Sequence, residues 1–479
     1  MMNNPMRRMH PAAILITIFM RIREFIVPLV VGVLIGSTGQ SFTQIFLFVI
    51  CLFVLIHSIL YWVSYRYVLE NGELTVQQGI FIKKKRYIRQ ERVQSIDVVA
   101  GVIQRLFSLV KVRIETAGGA NEPEVLLVAI TKDEANRMRT ELLRKEESMG
   151  TEQVLLPDED QIENSTEWVW QLQKRELLIA ALTSGGVGFV LSAVLALFTQ
   201  IEQLLPDAVL ETTAGLIFES SLLVLIIVMI ILAVIAWLIS MTQVVLKYGG
   251  FSVVKKDEKL EITRGLLEQR QLSLHLNRIT SIRIVSSLFR QPFGYATVYV
   301  ESAGGGSREE QLSTILFPLI KKRDIPAVLK EIAPTFSVPL QFQRVPKRAL
   351  LRYLLRNLLP AGLLVVTITF VMPYGHLSVL TLPIVVLLSY FQYRDAGHGN
   401  HQEAVWLRFR RLNQTMVIVP RRKIQAAEHQ QSLLQSYRSL STFKVSILTS
   451  MTGKSFSVID LDQTESERLF KWFSVTKAR

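Results

Sequence analysis

The sequence predicts an α-helical membrane protein that carries three small β-barrel domains, each closed by a C-terminal helix. Three observations lead to this fold class. Long apolar blocks alternate with basic blocks along the chain. Each apolar block has room for a pair of membrane-crossing helices, and each basic block contains the alternating pattern of β-strands. One basic segment also occurs twice, which indicates a chain built from a repeated unit.

The repeat is clearest at residues 89–119, RQERVQSIDVVAGVIQRLFSLVKVRIETAGG. This segment aligns without a gap to residues 275–305 at an offset of 186, and ten of the 31 positions are identical. Gly79 and Gly265 also match upstream, each after a predicted strand, where glycine favours a turn. The identical positions taken as a structural signature are Arg92, Ser95, Ile96, Phe107, Gly118 and Gly119, matched by Arg278, Ser281, Ile282, Phe293, Gly304 and Gly305.

Composition separates this chain from ordinary soluble proteins. Of its 479 residues, 49% are hydrophobic and 20% are charged. The net charge of +14 would suit a nucleic-acid-binding protein, but residues 24–65, 177–246 and 357–393 contain no Lys or Arg. Because the basic residues mark the segments between apolar blocks, we expect no nucleic-acid partner. The single cysteine, Cys51, excludes an internal disulfide.

Six membrane spans in three hairpins are predicted from the apolar blocks. A helix needs roughly 20 mostly apolar residues to cross a bilayer. An interfacial helix at 11–20 is expected to precede the first span. The predicted spans are about 22–38, then 42–63, 177–199, 222–246, 357–372 and 377–393. Because Lys and Arg favour the cytoplasmic side of a membrane, both termini and all basic segments are predicted to be cytoplasmic.

The predicted spans carry no acidic or basic residue near their middle. An ion path or proton relay normally needs such a residue, so the pattern argues against an ion-coupled transporter. Small residues recur on one face of two spans, for example at Ala180, Ser184 and Gly188 and at Gly32 and Gly36. Close packing within one molecule explains such a face, and a homo-oligomer seam is the alternative.

Each predicted hairpin is followed by a β-rich module. In VKVRIET, at residues 110–116, apolar and charged residues alternate as in a half-buried strand. Thr131 and Glu134 have the spacing of a capping box, which predicts the start of a closing helix. The predicted domains are hairpin 1 with its interfacial helix at 1–65, module 1 at 66–148, a linker at 149–176, hairpin 2 at 177–246, module 2 at 247–334, a linker or interfacial segment at 335–356, hairpin 3 at 357–393 and module 3 at 394–479.

The third module is a degenerate copy of the first two. Residues 421–440, RRKIQAAEHQQSLLQSYRSL, follow the first module at an offset of 331, which places Ile424 on Val93. Its AGG motif is absent, and Arg410 stands where the other modules have glycine. The segment DQTESERLFKWF again predicts a closing helix. The chain is therefore one unit, two spans plus one module, repeated three times.

The combination of Gly79, RVQSIDV, LFSLVKVRIETAGG and a closing helix resembles the bacterial pleckstrin-homology (PH-like) membrane domains of the YdbS/YdbT group. The triple layout is similar to the YdbT-like members and extends over essentially the full length. The resemblance implies three PH-like barrels, each of two roughly orthogonal sheets capped by a helix, at the inner face of a bacterial plasma membrane. It implies an architecture and not an activity.

Two basic clusters are the candidate binding sites. Lys83, Lys84, Lys85 and Arg86 lie in GIFIKKKRYIRQ. Near an anionic membrane surface each such charge contributes about 1 kcal/mol of attraction, so contact with anionic lipid headgroups is one interpretation. The alternative is that the clusters only satisfy membrane topology. Module 2 has LLEQRQLSLH at this place, so a headgroup role is not a property of the repeat. The second cluster consists of Arg421, Arg422 and Lys423.

No pattern of catalytic residues stands out, so we expect no enzymatic activity, no cofactor and no metal. The histidines of HGNH, at 398–401, are closely spaced, and we expect this segment to be a juxtamembrane loop. A zinc site usually needs four ligands at defined spacing, which the segment lacks. The paired glycines lack the following helix and the lysine of a phosphate-binding loop.

The preferred interpretation is a multi-pass membrane protein whose cytoplasmic PH-like domains form a binding or assembly platform. Its expected partners are membrane lipids, with anionic headgroups or protein segments as ligands, and a related small membrane protein with the same domain type. Exposed sheet edges of such barrels can add an extended peptide strand. A homo-oligomer is a further option. Two alternatives stay open: transport or handling of lipids or amphipathic peptides, and protection of the envelope against membrane-active peptides.

Overall fold

The computed structural model divides the chain into two compact units, Met1–Leu274 and His275–Arg479, which we describe one at a time. The residues that the structure describes are 6–21, 40–70, 72–80, 82–116, 124–142, 168–183, 222–302, 314–338, 341–371, 375–401, 403–449 and 453–474.

The first unit contains a four-stranded antiparallel sheet in the order β1-β2-β3-β4. Leu74, Val76 and Ile88 alternate with exposed or half-buried residues, and their burial against Met9 and Tyr65 builds the core of module 1. The strands are β1 (Arg7–Arg8), β2 (Arg66–Glu70), β3 (Glu73–Gln78) and β4 (Lys84–Arg89).

The second sheet of this unit is shared by modules 1 and 2. Its seven strands follow the order β7-β6-β5-β11-β10-β9-β8, so the last three strands of module 1 join the strands of module 2 through a β5–β11 pair. The sequence predicted separate barrels, and the shared sheet was not foreseen. The strands are β5 (Val93–Ala100), β6 (Leu109–Thr116), β7 (Val125–Thr131), β8 (Trp168–Gln171), β9 (Ser252–Lys256), β10 (Lys259–Arg264) and β11 (Gln269–His275).

The second unit repeats this arrangement one module later. A seven-stranded sheet in the order β14-β13-β12-β18-β17-β16-β15 joins modules 2 and 3, and a three-stranded sheet, β19-β20-β21, completes module 3. The strands are β12 (Ile279–Ser286), β13 (Tyr295–Ser302), β14 (Thr314–Lys321), β15 (Gln343–Arg344), β16 (Gly397–His401), β17 (Ala404–Arg410), β18 (Gln414–Pro420), β19 (Ile424–Gln430), β20 (Leu440–Ile447) and β21 (Lys454–Asp462).

Helices follow the strands of each module, as predicted. At the first closing helix the Glu134 N–H donates to Thr131 Oγ1 at 3.3 Å, and at the last the Thr464 N–H donates to Asp462 Oδ1 at 3.2 Å. The α-helices are α1 (Gln40–Ser64), α2 (Val102–Leu106), α3 (Lys132–Leu142), α4 (Lys174–Leu182), α5 (Leu222–Tyr248), α6 (Ile325–Ile332), α7 (Leu350–Val371), α8 (Thr381–Asp395), α9 (Leu433–Ser436) and α10 (Gln463–Ser474).

Three helical stretches among the described residues are long and apolar enough to cross a membrane. They are Ile230–Tyr248, Lys347–Val371 and Gly375–Asp395. A shorter apolar stretch, Phe48–Ser64, falls in the predicted span 42–63. The predicted span 22–38 lies outside the described residues, and of the predicted span 177–199 only residues up to 183 are described.

Segments predicted as linkers or loops contribute short strands. Strands β8 and β15 lie in the predicted linkers 149–176 and 335–356, and each extends the sheet of the module that follows. The segment HGNH was predicted to be a loop, which is wrong, because it belongs to β16. His398 is buried there, with 3% of its surface exposed. Between β1 and the predicted first span, residues 13–21 are helical, close to the predicted interfacial helix at 11–20.

Candidate functional site: an open basic sheet edge

The first basic cluster lies at the edge of a sheet. Lys83 precedes β4, and Lys84, Lys85 and Arg86 form its first half. Among the described strands β4 pairs only with β3, so its other side carries backbone N–H and C=O groups without a neighbouring strand. All four cationic side chains are exposed. The cluster is therefore an open, positively charged edge.

A turn at a glycine directly precedes this edge strand. Gly79 has a φ of +119°, and a Cβ at this position would collide with the carbonyl oxygen of Ile82. Gly265 has a φ of +97° and the same relation to the carbonyl of Glu268. Because side chains other than hydrogen are strained in this conformation, both glycines have the structural role predicted for them. The same turn leads into β4 and into β11.

The side chains of β4 divide between the core and the surface. Ile88 is buried, whereas Tyr87 is 62% exposed and lies 5.0 Å from the Lys85 ammonium, measured to the ring centre. Arg86 donates from Nη1 to the Glu124 carbonyl at 2.9 Å, and Arg89 donates from Nε to Glu73 Oε1 at 3.1 Å. The edge thus combines several cations with one exposed aromatic ring, and tyrosine and arginine are residue types enriched at protein interfaces.

The strands equivalent to β4 are covered. In module 2, β11 pairs with β5 of module 1, and in module 3, β18 pairs with β12 of module 2. The two joints share one register, since Ile96 lies opposite Ser273 and the corresponding Ile282 lies opposite Ile418. Modules 2 and 3 therefore each receive a strand from the module before them, whereas β4 of module 1 pairs only with β3 among the described strands.

The complementary edge lies at the other end of the chain. Strand β19 corresponds to β5 and β12, which each pair with the next module, but among the described strands β19 pairs only with β20. All residues of β19 are exposed or half-buried, whereas most residues of β12 are buried. Among the described strands, β4 and β19 are thus the two that lack the inter-module partner their equivalents have, β4 on the receiving side and β19 on the contributing side.

The second basic cluster is engaged in contacts within the second unit. Arg421, Arg422 and Lys423 form a 3-10 helix between β18 and β19. Arg421 donates from Nη2 to the Phe473 carbonyl at 3.0 Å, and its guanidinium lies 5.4 Å from the centre of the Trp472 ring. These contacts hold the closing helix α10, and the predicted lipid contact of this cluster stays a prediction.

Lys423 occupies the position of Arg92 and Arg278 at the end of equivalent 3-10 helices. Its Nζ donates to the Asn277 carbonyl at 2.5 Å. Partial burial, reinforced by the neighbouring charges of Arg422 and Arg278, lowers the pKa of Lys423 below its usual value. The cation at this position of module 3 therefore forms a hydrogen bond to module 2.

The remaining signature residues have mixed environments. Ile96, Ser281 and Ile282 are fully buried in strands of the shared sheets, and Ser95 lies in β5. Phe107 and Phe293 instead lie on the surface, 41% and 66% exposed. The glycines Gly118, Gly119, Gly304 and Gly305 lie outside the described residues.

The two exposed phenylalanines belong to a larger apolar feature that the sequence analysis missed. In each module the connection after the strand β5, β12 or β19 exposes large apolar side chains, between 41% and 91% of their surface. We call these connections the apolar tips. They consist of Val102, Leu106 and Phe107 in module 1, Leu288, Phe289 and Phe293 in module 2, and Leu433, Leu434 and Tyr437 in module 3.

A pocket of about 300 Å³ in the second unit was also missed. It is lined by Arg356, Asn357, Gln392, Arg410 and Arg411, among others, where α7 and α8 meet module 3. Arg356 Nη1 lies 3.8 Å from Asp460 Oδ2. The sequence contains one indication of this pocket. Arg352 and Arg356 lie four residues apart directly before a predicted span, and residues four apart share a helix face.

Buried charges mark the joints between modules. In the second unit Glu301, 1% exposed, lies 2.7 Å from Lys454 Nζ and 3.2 Å from Arg283 Nε. Burial lowers the pKa of Lys454, and the contact with Glu301 opposes that shift. In the first unit Asp97 and Arg270, both buried, lie 3.9 Å apart across the β5–β11 pair. A buried charge without its partner is costly, so these pairs favour one register.

Comparison with known proteins agrees with the threefold repeat. The family model described as "Bacterial PH domain" matches residues 19–146, 190–335 and 353–475. The chain is also similar to "UPF0699 transmembrane protein YdbT" of Bacillus subtilis (strain 168), with 33% identity over an alignment of 497 residues that covers 100% of both chains. The three matched segments correspond to the three units of the repeat. The chain is therefore a membrane protein that belongs to the bacterial PH domain family, with three copies of its domain.

Proposed function

We propose that this protein is an assembly platform of the bacterial plasma membrane, which captures a protein partner by adding the partner's strand to the open edge of β4. One observation carries this proposal. The strands equivalent to β4 in modules 2 and 3 are both covered by a strand of another module, in one register, and no strand of another module covers β4 among the described residues. The capture of a strand at this position is thus an interaction that the fold already uses twice.

The proposal places six spans in three hairpins, with the modules and both termini in the cytoplasm. The three long apolar helical stretches support the spans, and the confinement of Lys and Arg to the other segments supports the orientation. Anchored modules would lie at a fixed distance from the membrane. Anchoring also reduces the translational freedom that a partner in the same membrane loses on binding.

The charges of β4 make its open edge selective. Lysine on an edge strand discourages pairing with arbitrary strands, because the incoming strand would have to cover several cations. Opposite charges placed across a strand pair contribute about 0.2–1 kcal/mol per pair. A partner strand with acidic residues is therefore favoured over a neutral one, and a basic strand is rejected.

A photocrosslinking amino acid in place of Tyr87 tests the proposal in cells. Tyr87 is exposed on the edge strand, so a bound strand would lie within reach of the probe. The matched control places the probe at Lys444, which lies on the central strand β20 between β19 and β21. We expect a crosslinked species from Tyr87 and not from Lys444. Absence of any species specific to Tyr87 would overturn the proposal.

A second candidate function, binding of an anionic lipid headgroup, is favoured by the arginine-lined pocket. The pocket lies where two candidate spans end against module 3, and Arg356, Arg410 and Arg411 line it. Arginine is well suited to phosphate, since its guanidinium presents several donors in one plane. Arg410 is held by Asp395 at 2.5 Å, whereas Arg356 lies at the longer distance of 3.8 Å from Asp460, so Arg356 and Arg411 are the residues to test.

Lipid retention separates this candidate from a purely structural pocket. The double variant Arg356→Gln and Arg411→Gln is expected to lose phosphatidylglycerol that co-purifies with the protein, measured by native mass spectrometry. The control is Arg323→Gln, whose side chain is 77% exposed outside the pocket. Equal retention by both variants would reject the pocket as a headgroup site.

A further inference from the structure

Strands β4 and β19, which lack an inter-module partner among the described strands, could pair with each other. We propose that the strand added to β4 is β19 of a second copy of the chain, so that copies associate head to tail. This assignment rests on the proposed function of β4 as a strand acceptor and names its partner. The pairing would repeat, between molecules, the joint that links modules 1 and 2 and again modules 2 and 3 within each molecule.

The register of the internal joints fixes the register of the proposed one. Asp97 lies opposite Leu272 at the first joint, and the equivalent Arg283 lies opposite Val417 at the second. The equivalent residues are Glu428 in β19 and Arg86 in β4. In the proposed joint, Glu428 of one copy would therefore lie opposite Arg86 of the next. The register thus sets one acidic residue of β19 directly across from a cation of β4.

The side chains on both edges suit this register. Glu428 is half-buried and lies 3.1 Å from Lys444 on its own sheet, so it remains accessible to a second cation. The same register places Ala426 opposite Ile88 and Ala427 opposite Tyr87. Small residues in β19 leave room for the large side chains of β4, and the exposed Tyr87 ring would gain apolar cover from Ala427.

Pairing of β4 with β19 is a heterologous contact, because the two strands are different surfaces. Such contacts form rings if the rotation between copies closes and open chains if it does not. The membrane spans restrict the copies to one plane. Association would therefore produce either a closed ring, of which a reciprocal dimer is the smallest, or an open chain of copies, held together by a continuation of the sheet.

Disulfide trapping of differently tagged copies tests this assignment. In a Cys51→Ala background, one copy carries Arg86→Cys and the other Glu428→Cys, and the two are co-expressed. We expect a mixed disulfide between the tags under mild oxidation, and little product when either variant is expressed alone. The control pairs Arg86→Cys with Lys444→Cys, which lies opposite Glu428 on the central strand β20 and would be separated from β4 by the intervening strand β19.

Charge reversal provides a second measurement. The variant Glu428→Lys is expected to lower the assembled fraction about three- to tenfold, and Arg86→Glu in the same chain should restore much of it, because opposite charges then face each other again. Failure of Arg86→Glu to restore assembly, or a mixed disulfide no stronger than the control, would overturn the second-copy assignment. In that case capture of a different protein at Tyr87 would leave the proposed function standing, whereas capture of nothing would overturn both.

A separate observation concerns the apolar tips. We infer that these tips insert into the interfacial layer of the membrane next to the spans. The tip of module 1 is tied to the end of a candidate span, since Arg105 donates from Nη1 to the Leu266 carbonyl at 2.7 Å, and the Leu266 N–H donates to the Leu246 carbonyl in the last turn of α5 at 2.9 Å.

The apolar tips in the second unit form comparable hydrogen bonds. Gln291, within the tip connection of module 2, accepts from Arg410 Nη2 at 2.6 Å, and Arg410 also binds Asp395, the last residue of α8. In module 3 Arg438 donates from Nη1 to the carbonyl of Arg348, directly before α7, at 3.1 Å. Each tip is thus connected to backbone or side chains at the end of a candidate span.

The composition of the tips suits an interfacial location. Each combines exposed large apolar side chains with a nearby arginine, namely Arg105, Arg290 and Arg438. Apolar residues inserted to the level of the acyl chains, with a cation at the headgroups, characterise segments that lie in the membrane interface. Exposure of such side chains to water would otherwise invite aggregation.

Quenching by lipids measures the depth of the tips. In the Cys51→Ala background, an environment-sensitive fluorophore on Leu106→Cys, Phe289→Cys or Leu433→Cys is compared in nanodiscs with and without lipids spin-labelled near the top of the acyl chain. We expect stronger quenching at all three sites than at Lys444→Cys, which lies in a sheet. Quenching equal to that of Lys444→Cys would overturn the inference.

Discussion

Strands β4 and β11 occupy the same place in successive modules, yet one ends a sheet and the other lies inside one. The position of Arg86 in β4 holds Leu272 in β11 and Val417 in β18. Leu272 and Val417 are 6% and 0% exposed, whereas Arg86 is exposed. The difference shows that the cover provided by the preceding module, and not the fold of the module itself, decides which side chains the edge carries.

Strand β19 shows the corresponding difference among the strands that pair with the next module. Strands β5 and β12 pair with the next module and keep buried residues, whereas β19 pairs only with β20 among the described strands and is exposed or half-buried throughout. In the part of the chain that the structure describes, the repeat thus has a basic open edge at β4 and an open edge with one acidic residue, Glu428, at β19. Substitutions that exchange residues between an open edge and a covered strand test this comparison most directly.

The largest effect is expected when the cation of the open edge is placed into a covered strand. Val417→Arg buries a charge without a partner in the core of the second unit, which should destabilise it by about 4 kcal/mol or more. The reverse exchange, Arg86→Val, changes an exposed residue and should alter stability by less than about 0.5 kcal/mol. Thermal unfolding and limited proteolysis in detergent compare the two. Similar small effects would mean that β18 is not covered.

An intermediate effect is expected at the buried charges of the joint between modules 2 and 3. Glu301→Ala leaves Lys454 and Arg283 without their shared carboxylate, at a cost of about 3 kcal/mol. The matched control, Lys444→Ala, removes a more exposed pair with Glu428 and should cost less than about 1 kcal/mol. Thermal unfolding of the purified variants measures both. An equal loss at the two sites would show that the Glu301 cluster is open to water.

The smallest effect is a pH dependence from His398. Burial lowers the pKa of this histidine below its ordinary value of 6.5, while Glu465, at 3.8 Å from Nε2, opposes the shift and the charge of Arg468 adds to it. The unfolded chain then takes up a proton before the folded one does, so stability should fall as the pH drops below 6.5 towards the lowered pKa.

The variant His398→Gln should flatten this part of the stability profile. Unfolding temperatures measured in small steps between neutral and mildly acidic pH provide the comparison. A profile with the same slope in the variant would assign the acid sensitivity to other groups.

The sequence was informative where the physical signal is local. Turns that need positive φ at Gly79 and Gly265, strands with alternating burial and the capping residue Thr131 were all predicted correctly. Each depends on a few neighbouring residues, whose chemistry restricts the backbone directly.

Long-range pairing was not predictable in the same way. The alternation of β5 identifies a strand but not its neighbour, and the strand it pairs with, β11, lies beyond a hairpin and a linker in the sequence. One signal was present: β4 reads KKRYIR, whereas β18 reads QTMVIVP, too apolar for an exposed edge. The arginine pocket and the apolar tips were missed because their residues converge from separate segments.

Backbone hydrogen exchange tests most directly the claim that β4 is the open member of a set of otherwise covered edges. In dilute detergent-solubilised protein, amides of β11 and β18 should exchange at least about 100-fold more slowly than the outward-facing amides of β4, since covered strands open only through larger unfolding events. Protection of β4 should then rise when the copies assemble. Strand β4 as strongly protected as β11 in the dissociated protein would contradict the account.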